Sequence, residues 1–597
     1  DEWAAMVVSV NGYVVVKDSQ ALHSSGATVQ PDALICPGQQ LEVGADSRAA
    51  IYLSNNSFVR LDQNTVLSFP STQQAGSFWV ELQQGVTHFI SRITQRFGVK
   101  TPYANAVVDG TEFLVTATDS ASQVSVIEGQ VTVAGTQVNQ PENHQQATLS
   151  AGKKAILSGK ADIDIIDIAT TETVDWAVYF PPAMFMDRLQ QGANSEALAA
   201  AAGHLDQNRP DLAIETLKNL TNPGPRVNIA LAASYLSVGN FSNARDTLRG
   251  VDSAEALALQ SMMSTVTNDP AQALQQAQSA VRADPQALPA LLALSYARQA
   301  NLDLPAAHEV ARDATQRHPQ AVAAWIRLSE TQVAMGNISA ASDSVANARR
   351  LDPASAATLV QSGYVDLFNQ RYSAAEARFR QAVAKSSEDR QARLGLGPVL
   401  LRQGELEAGR RQLEFAVSLD PARSVLRSYL GRAYFEEKRD GDAATQWELA
   451  KQLDPQDPTA YFYEGVRKLY ANDPIGAIDE LETSRHLNDE RALYRSETLL
   501  QSDAASRSAA LARAYDEVGY DQGVLLEGWN ALREDPTNSE GHRLLADKYR
   551  GNSRYDAARA SELLQSQLWQ PLSAYPLQPQ LAETGIGFVE GAGPQQP

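Results

Sequence analysis

The side chains that could perform chemistry are scattered along this sequence. Its eight histidines show neither an HExxH motif nor a pair at i,i+4, the spacing that places two imidazoles on one helix face for a metal ion. Asp109 and Glu112 flank Gly110-Thr111 and could act as an acid–base pair in a cleft. Asp-Gly is also a common tight-turn dipeptide, so we favour a turn followed by a strand that begins at Glu112.

Three other features could suggest a metal or reactive site. Asp162, Asp164 and Asp167 alternate with isoleucines, but the glycine and distal glutamate of a calcium loop are missing, so we predict a solvated edge strand. The one cysteine, Cys36, excludes an internal disulfide framework, and its apolar neighbours predict a buried thiol. No Gly-x-Ser-x-Gly or Walker motif is present. We predict no enzyme activity, no metal ion and no cofactor.

The length and charge of the chain narrow the classes of protein. With 597 residues, it is too long for one hydrophobic core, so several domains or a repeat array are expected. Apolar residues make up 43 % of the chain and charged residues 20 %, which is typical of folded proteins. The formal net charge of −20 repels phosphate backbones and therefore argues against a nucleic-acid partner.

The start of the chain bears on its location. The first residue is Asp1 rather than Met, and a strand-like segment begins almost at once. We interpret this as the removal of a secretory signal peptide, which predicts an extracytoplasmic protein, whether periplasmic, outer-membrane-associated or extracellular. No apolar run reaches the roughly 18 residues that a transmembrane helix needs, so none is predicted.

Residues 1–168 carry the signals of an all-β domain. Short runs of β-branched and aromatic residues, such as Val14 to Val16 and Phe58 to Leu61, are separated by turn formers, among them Gln83-Gln84-Gly85. Apolar and polar residues alternate from Gln123 to Ile127, as in a strand with one buried face. We expect an antiparallel β roll or sandwich.

The remainder of the chain carries an internal repeat. From about residue 190, alanine and leucine dominate, and apolar residues recur at i, i+3, i+4 and i+7. Proline, which ends a helix, follows an aspartate or histidine on a grid of 34 residues. The pairs are Asp284-Pro285, His318-Pro319, Asp352-Pro353, Asp420-Pro421 and Asp454-Pro455. This period is typical of the two-helix tetratricopeptide repeat (TPR).

The register within the repeats supports this interpretation. Leu430-Gly431 and Tyr434 reproduce the Leu-Gly-x-x-Tyr signature, and small residues at the eighth and twentieth places let paired helices approach closely. An extra stretch, Glu490 to Ser502, interrupts the grid, and Pro398 should kink or break a first helix, although both could be harmless variation. We predict about eleven units, starting near residues 194, 225, 254, 288, 322, 356, 390, 424, 458, 505 and 539.

The N-terminal half resembles the extracytoplasmic domain of FecR-type proteins over about residues 10–158. The matching residues are Val43-Gly44, Ser47 to Ala50, Val59 to Thr65, Leu82 to Gly85, Thr101-Pro102, Ala106 to Val108, Gly110 to Phe113 and Val126 to Val131. The resemblance implies a place outside the inner membrane of a Gram-negative bacterium. Some such proteins relay transport signals through a cytoplasmic anti-sigma segment and a membrane helix; this sequence has neither.

Three further stretches are similar to proteins in which a FecR-like domain precedes TPRs. They are Trp176 to Pro182, Ala492 to Ser496 and Glu562 to Leu568. Such proteins can carry a C-terminal outer-membrane barrel, which has no counterpart here, so this chain is either a fragment or comes from a lineage without the barrel.

We therefore predict a multidomain chain with an all-β FecR-like domain and an all-α TPR superhelical solenoid. The predicted segments are the β domain at 1–168, a junction at 169–193, the TPR array at 194–570 with the insert near 490–502, and a Pro/Gly/Gln-rich tail at 571–597. Within the tail, we expect Leu572 to Val589 to lie along the repeats or against another subunit; the alternative is a simple linker.

The resemblance to TPR proteins also implies where a partner would bind. In that family, the second, fifth, ninth and twelfth places of each unit point into a groove that suits an extended or helical peptide. The candidate partner-binding residues are Tyr364, Leu367, Leu394, Leu401, Arg432, Phe435, Phe462 and Leu469. Alternatively, several of them only pack against neighbouring hairpins.

These features lead to one preferred function and two alternatives. We expect a non-enzymatic extracytoplasmic scaffold that binds protein partners, an outer-membrane protein among them, through its TPR groove and FecR-like domain. The alternatives are a structural subunit whose copies assemble head-to-tail into an oligomer or filament, and a regulator of envelope signalling.

Overall fold

The computed structural model divides the chain into two compact units. The first comprises residues 1–260 with the short segments 386–389 and 418–421, and the second comprises the rest. The structure describes residues 3–18, 26–71, 77–91, 96–108, 110–136, 146–158, 163–168, 195–220, 223–267, 269–301, 303–369, 371–421, 423–487, 497–550 and 553–570. The predicted junction and tail, most of the Glu490 to Ser502 insert, and Asp109 and Asp162 lie outside these residues.

The N-terminal part of the first unit is built from β-strands, as the alternation of apolar residues predicts. The strands are β1 Ala5–Asn11, β2 Val14–Asp18, β3 Ala27–Thr28, β4 Leu34–Ile35, β5 Gln39–Val43, β6 Arg48–Leu53, β7 Phe58–Leu61, β8 Thr65–Ser68, β9 Ser77–Ile90, β10 Arg96–Lys100, β11 Ala104–Val108, β12 Glu112–Ala117, β13 Ala121–Glu128, β14 Gln130–Gly135, β15 Gln146–Ser150, β16 Lys153–Ser158 and β17 Ile163–Asp167.

The strands form two hydrogen-bonded groups that share β9. The first group runs β4-β1-β6-β7-β9-β12-β13-β16-β17. The second runs β3-β2-β5-β8-β9-β10-β11-β14-β15. One apolar core draws side chains from both groups, and Phe89 stacks on Phe113 at 4.9 Å within it. Strand β17 lies at the edge of the first group and is mostly exposed, as expected.

The pairing corrects two expectations about β9. Gln83-Gln84-Gly85 does not form a turn, because the strand continues through all three residues. Gly85 instead adopts φ of +103° beside an irregular pairing with β8, and a Cβ there would lie 2.5 Å from the Cα of Thr65. Glycine supplies the left-handed conformation that this bulge requires. The pairing of β9 with β10 is parallel, so the domain is not purely antiparallel.

The expectation of a buried thiol at Cys36 is also wrong. Ile35 is buried in β4, but Cys36 is exposed in the turn that follows. The backbone N–H of Cys36 donates a hydrogen bond to Oε1 of the Gln39 side chain, at 2.8 Å. The apolar neighbours of Cys36 therefore did not indicate the direction of its own side chain.

The described residues from 195 onward form helices in consecutive pairs, which bears out the two-part fold class. The helices are α1 Ser195–Asp206, α2 Pro210–Lys218, α3 Pro225–Ser237, α4 Phe241–Thr247, α5 Ala254–Val266, α6 Pro270–Ala283, α7 Leu288–Ala300, α8 Leu304–Arg317, α9 Val322–Ala334, α10 Ile338–Leu351, α11 Ala356–Phe368, α12 Tyr372–Lys385, α13 Arg390–Arg402, α14 Leu406–Leu419, α15 Ser424–Glu436, α16 Asp440–Leu453, α17 Pro458–Tyr470, α18 Pro474–Leu487, α19 Glu497–Glu517, α20 Asp521–Glu534, α21 Ser539–Lys548 and α22 Asp556–Leu568.

The ends of the helices follow from the repeated sequence. Asp269, Asp303 and Asn337, each 34 residues apart, accept a hydrogen bond from the third backbone N–H that follows and thereby cap α6, α8 and α10. Such a cap contributes about 1 kcal/mol. At the other ends of second helices, Asp284 and Asp352 are extended and precede prolines, which stop the helix.

Two irregular places differ from expectation. Helix α19 begins at Glu497, eight residues before the predicted start of that unit at 505. Pro398 lies inside α13 without breaking it, since the helix is continuous from Arg390 to Arg402. Among the described residues, no helix has the length and apolar content that crossing a membrane requires.

Candidate protein-binding surface

The first helices of successive hairpins in the second unit are joined to one another. Arg327 on α9 donates from Nε to the Ser295 hydroxyl on α7, at 2.8 Å, and from a terminal nitrogen to Gln299. One repeat further on, Gln361 on α11 donates to the Ser329 hydroxyl on α9, at 3.0 Å. These contacts align the first helices side by side, so their shared surface can present a continuous row of side chains.

Within each hairpin, a pair of places sets how closely the two helices approach. In three units the eighth place is serine, whose hydroxyl donates to the backbone carbonyl at the twentieth place; these residues are Ser261, Ser295 and Ser329. In the next four units the eighth place is glycine, and a large side chain at the twenty-fourth place fills the space. These pairs are Gly363 with Phe379, Gly397 with Leu413, Gly431 with Trp447 and Gly465 with Leu481.

The twenty-fourth place changes together with the eighth. Where the eighth place is serine, the twenty-fourth is Ala277, Ala311 or Val345, and all three are buried. Where it is glycine, a Cβ at that glycine would lie 2.5–2.7 Å from the large residue. The two places therefore exchange volume, as dense interior packing requires.

Five of the eight candidate partner-binding residues are buried between hairpins. They are Leu367, Leu401, Arg432, Phe435 and Phe462. The Phe435 ring packs 6.0 Å from that of Trp447, and the Arg432 guanidinium lies 5.6 Å from the rings of both Phe435 and Tyr463. These side chains already have partners within the array, and they supply its core.

The other three candidates are partly exposed. Tyr364 packs edge-on against Phe379 and donates from its hydroxyl to the Gln391 carbonyl at 2.9 Å, which fixes the orientation of the ring. Leu394 and Leu469 pack along the border of the neighbouring core. Tyr296 and Val333, at groove places in earlier units, and Val425, at the second place of the unit that contains Arg432, are also partly exposed. Applying the same places to every unit would have found these three.

The charges on this row of helices are matched locally. Arg327 pairs with Glu330 at 2.9 Å, and its guanidinium lies 3.9 Å from the Tyr296 ring. The Tyr296 hydroxyl donates to the same Glu330 carboxylate, and burial together with that carboxylate raises the pKa of Tyr296. Arg432 pairs with Glu436 one turn away. The partly exposed side chains along these first helices are therefore largely apolar. They suit an extended, mainly apolar peptide more than a highly charged peptide.

A second exposed surface lies on the last two hairpins, outside the predicted sites. The Trp529 indole donates to the Tyr549 hydroxyl at 3.1 Å, and the Tyr549 ring stacks on that of Tyr555 at 5.2 Å. Trp529 is 51 % exposed and Tyr555 is 43 % exposed. The degenerate repeat sequence in this region gave no signal for them.

The first unit contains a buried layer of charged and polar side chains. Arg60 on β7 is fully buried; one of its terminal nitrogens donates to the Ser418 carbonyl at 2.8 Å, and the other lies 3.6 Å from the Glu388 carboxylate. Glu388 also accepts hydrogen bonds from Ser9 and Asn11 of β1. Because desolvation outweighs the nearby carboxylate, the pKa of Arg60 is lowered to about 10.

The possible acid–base residue Glu112 belongs to the same domain. It begins β12, as predicted, and its carboxylate lies 3.0 Å from Nε2 of His88, with both side chains fully buried. The described residues contain no group of three or more His, Cys, Asp or Glu side chains that could hold a metal ion. The arrangement at Glu112 is that of a paired interior group.

Comparison with known families agrees with the two-part architecture. The FecR protein family matches residues 39–132, and the tetratricopeptide repeat family matches residues 360–412 and 394–458. The chain thus contains a FecR domain and TPRs, and TPRs imply protein–protein interaction. No curated protein matches the chain.

Several solved structures resemble one part of the chain each. A Parabacteroides distasonis protein described as an anti-sigma factor is 23 % identical over 24 % of this chain and 66 % of its own, with a TM-score of 0.21. A tetratricopeptide repeat protein from Parabacteroides merdae is 18 % identical over 39 % of this chain and 93 % of its own, with a TM-score of 0.30. Pseudomonas aeruginosa pilF is 18 % identical over 40 % and 99 %, also with a TM-score of 0.30.

Proposed function

We propose that this protein is a non-enzymatic extracytoplasmic scaffold that binds partner proteins through its TPR array, while its FecR-like domain docks a second protein. The observation that carries the proposal is the strip of partly exposed apolar side chains on successive first helices. Tyr364, Leu394 and Leu469 belong to this strip. The FecR match supports a role in the cell envelope.

The strip suits a partner segment that is extended and mainly apolar. Its aromatic and aliphatic side chains are held by the array before binding, so little conformational entropy would be lost on association. Its arginines and glutamates already pair with each other, so a partner would not need to neutralise them. Recognition by shallow apolar contacts of this kind is characteristic of peptide grooves.

Site-specific photo-crosslinking tests the proposal. A photoreactive amino acid is placed at Tyr364 or at Leu394, and the full chain is irradiated with an envelope fraction of the source organism. The matched control is Gln381, which is exposed on the second helix of the same hairpin as Tyr364. We expect the same crosslinked protein from positions 364 and 394 and none from 381. Equal labelling at all three positions, or no crosslinked protein, would overturn binding at this strip.

A further inference from the structure

A small cavity opens beside strand β9 in the β domain, and binding of partner proteins by the TPR array makes no use of it. Its volume is about 220 Å³, and the residues that line it come from three places. Strand β9 contributes residues 84–86, the turn between β7 and β8 contributes residues 63 and 64, and the end of β12 with the following turn contributes residues 116–119. We call it the β9 cavity.

The β9 cavity forms where β9 passes from one group of strands to the other. Before this point β9 pairs with β8 and β10, and after it β9 pairs with β7 and β12. Since β7 ends at Leu61 and β8 begins at Thr65, these two strands part beside the bulge at Gly85. The Thr65 hydroxyl bridges part of the gap by accepting a hydrogen bond from the Val86 N–H, at 3.1 Å. The opening therefore follows from the strand pairing itself.

Hydrogen bonds fix the two turns that border the β9 cavity. The side-chain oxygen of Gln63 accepts a hydrogen bond from the Asp46 N–H at 2.9 Å, which leaves the NH₂ group of Gln63 as a donor. The Thr118 hydroxyl donates to the Ala121 carbonyl at 2.9 Å and closes the turn that contains Asp119. A ligand would therefore meet groups that are already held in place, at a small cost in conformational entropy.

The remaining polar groups of the β9 cavity are available to a ligand. In the described part of the chain, the Asp119 carboxylate and the side-chain amides of Asn64 and Gln84 take part in no hydrogen bond or ion pair. A side-chain amide both donates and accepts hydrogen bonds, whereas a carboxylate only accepts them. The apolar residues Val86 and Ala117 also line the cavity. The cavity thus combines donors, acceptors and a small apolar surface.

Charge and size limit what the β9 cavity can hold. Among the described residues that line it there is no lysine, arginine or histidine, so a phosphate or carboxylate ligand would meet only the like charge of Asp119. One carboxylate is too few for calcium, which takes about six to eight oxygen ligands. The volume is smaller than the roughly 300–1,000 Å³ of pockets for drug-sized ligands. A small neutral ligand that is rich in hydroxyl groups satisfies all of these limits.

We propose that the β9 cavity binds one pyranose ring of a neutral sugar. Adjacent hydroxyl groups on such a ring both donate and accept, so the amide of Asn64 or Gln84 can bond to two of them while Asp119 accepts from a third. The apolar C–H face of the ring then covers Val86 and Ala117. With so few contacts, the dissociation constant for a single ring is about millimolar. Sugar binding here does not rest on the strip at Tyr364.

Saturation-transfer difference NMR on the full chain tests this site. The probes are the methyl glycosides of glucose, galactose, mannose and N-acetylglucosamine. Gln84→Ala with Asp119→Ala removes two of the polar groups, and both residues are exposed, so the fold should be retained. The matched control is Gln83→Ala with Asp164→Ala, at exposed residues of the same domain that do not line the cavity. Thermal unfolding of both variants checks that they are folded.

We expect saturation transfer from the native chain to the ring protons of at least one glycoside. The signal should fall about tenfold when Gln84 and Asp119 are replaced, because two hydrogen-bonding groups are lost, and it should be unchanged in the control. No transfer to any of the glycosides, or equal transfer from the native chain and both variants, would overturn the site. Transfer to triglycine but to no glycoside would overturn it in favour of a peptide ligand.

A free sugar and the terminal ring of a glycan present the same chemistry to the β9 cavity. Maltotriose, a linear glucose trisaccharide, distinguishes these two sources. Transfer confined to a terminal ring of maltotriose supports a glycan end as the ligand. Transfer to the methyl glycoside of glucose but not to maltotriose supports a free sugar.

Discussion

The Arg60 guanidinium and the Glu388 carboxylate form a buried pair in the first unit, 3.6 Å apart. They are separated by more than 300 positions in the sequence, yet each is at most 3 % exposed. Glu388 accepts further hydrogen bonds from Ser9 and Asn11, so a β-strand and the segment 386–389 share one polar group. Such a pair links the folding of β1 and β7 to that of a distant piece of the chain.

Removing one member of this pair should lower the free energy of unfolding more than replacing both members with uncharged side chains. Arg60→Met leaves the Glu388 carboxylate buried without its guanidinium, and we expect a loss of about 3–5 kcal/mol in the free energy of unfolding. The double variant Arg60→Met with Glu388→Gln should recover much of this loss, because no buried charge remains. Urea unfolding of the single and double variants measures the coupling. Additive losses would show that the two side chains do not interact.

The contact between Gly431 and Trp447 makes a prediction about hairpin packing. A Cβ at position 431 would lie 2.5 Å from the indole nitrogen, so Gly431→Ala should destabilise by about 1–3 kcal/mol despite its better helix propensity. Gly441→Ala is the control, because nothing lies within 4 Å of that Cβ, and it should be neutral or stabilising. Thermal unfolding distinguishes them; equal shifts in Tm would show that the register of this repeat is wrong.

The joined first helices predict that Arg327 cannot be replaced by lysine. Its fork donates to Ser295, Gln299 and Glu330, and its plane stacks on Tyr296. Lysine keeps the charge but loses the Nε donor and the stacking, so Arg327→Lys should lower the free energy of unfolding by about 1–3 kcal/mol. Arg312→Lys, at an exposed ion pair on α8, should change it by less than about 0.5 kcal/mol. Similar losses in both variants would contradict the specific role of the fork.

Glu540 predicts a pH dependence. Burial raises the pKa of its carboxyl despite Arg543 and Arg513, so the folded state binds this proton more tightly than the unfolded chain. The stabilisation from that proton is complete below the unfolded pKa of about 4.3 and is lost as the pH rises through the folded pKa. Glu540→Gln resembles the protonated side chain, so its Tm should increase relative to the native chain between about pH 4 and pH 7. A constant or decreasing difference would contradict the raised pKa.

The sequence predicted the repeat register because period and packing act locally. Proline and the aspartate or asparagine caps fix where helices end and begin within a few residues, and every strictly spaced unit begins where the 34-residue grid places it. The long strand β9 was missed for the opposite reason. Gln83-Gln84-Gly85 has the composition of a turn, but the pairing of Gln84 with Val66 of β8 and of Gly85 with Ala117 of β12 holds it extended.

The candidate site was harder to predict than the fold. The place of a residue in the repeat unit indicates the direction of its side chain, but it does not indicate the size of the neighbouring side chains. Phe435 and Phe462 are therefore buried, whereas Tyr364 is partly exposed. The aromatic rings of Trp529 and Tyr549 meet across two helices with no shared motif. The pair of Arg60 and Glu388 depends on tertiary contact alone, which no local pattern encodes.

The exchange of volume between the eighth and twenty-fourth places limits how the array could have changed by duplication. Genetic recombination between the eighth and twenty-fourth places of a unit with serine and a unit with glycine would exchange their partners. Serine would then face tryptophan in one product, and glycine would face alanine in the other. The first product is overfilled and the second contains a void, although every residue in it is native to some repeat. Whole hairpins can therefore be copied or lost in evolution, whereas their single helices cannot be freely shuffled among Ser295-type and Gly431-type units.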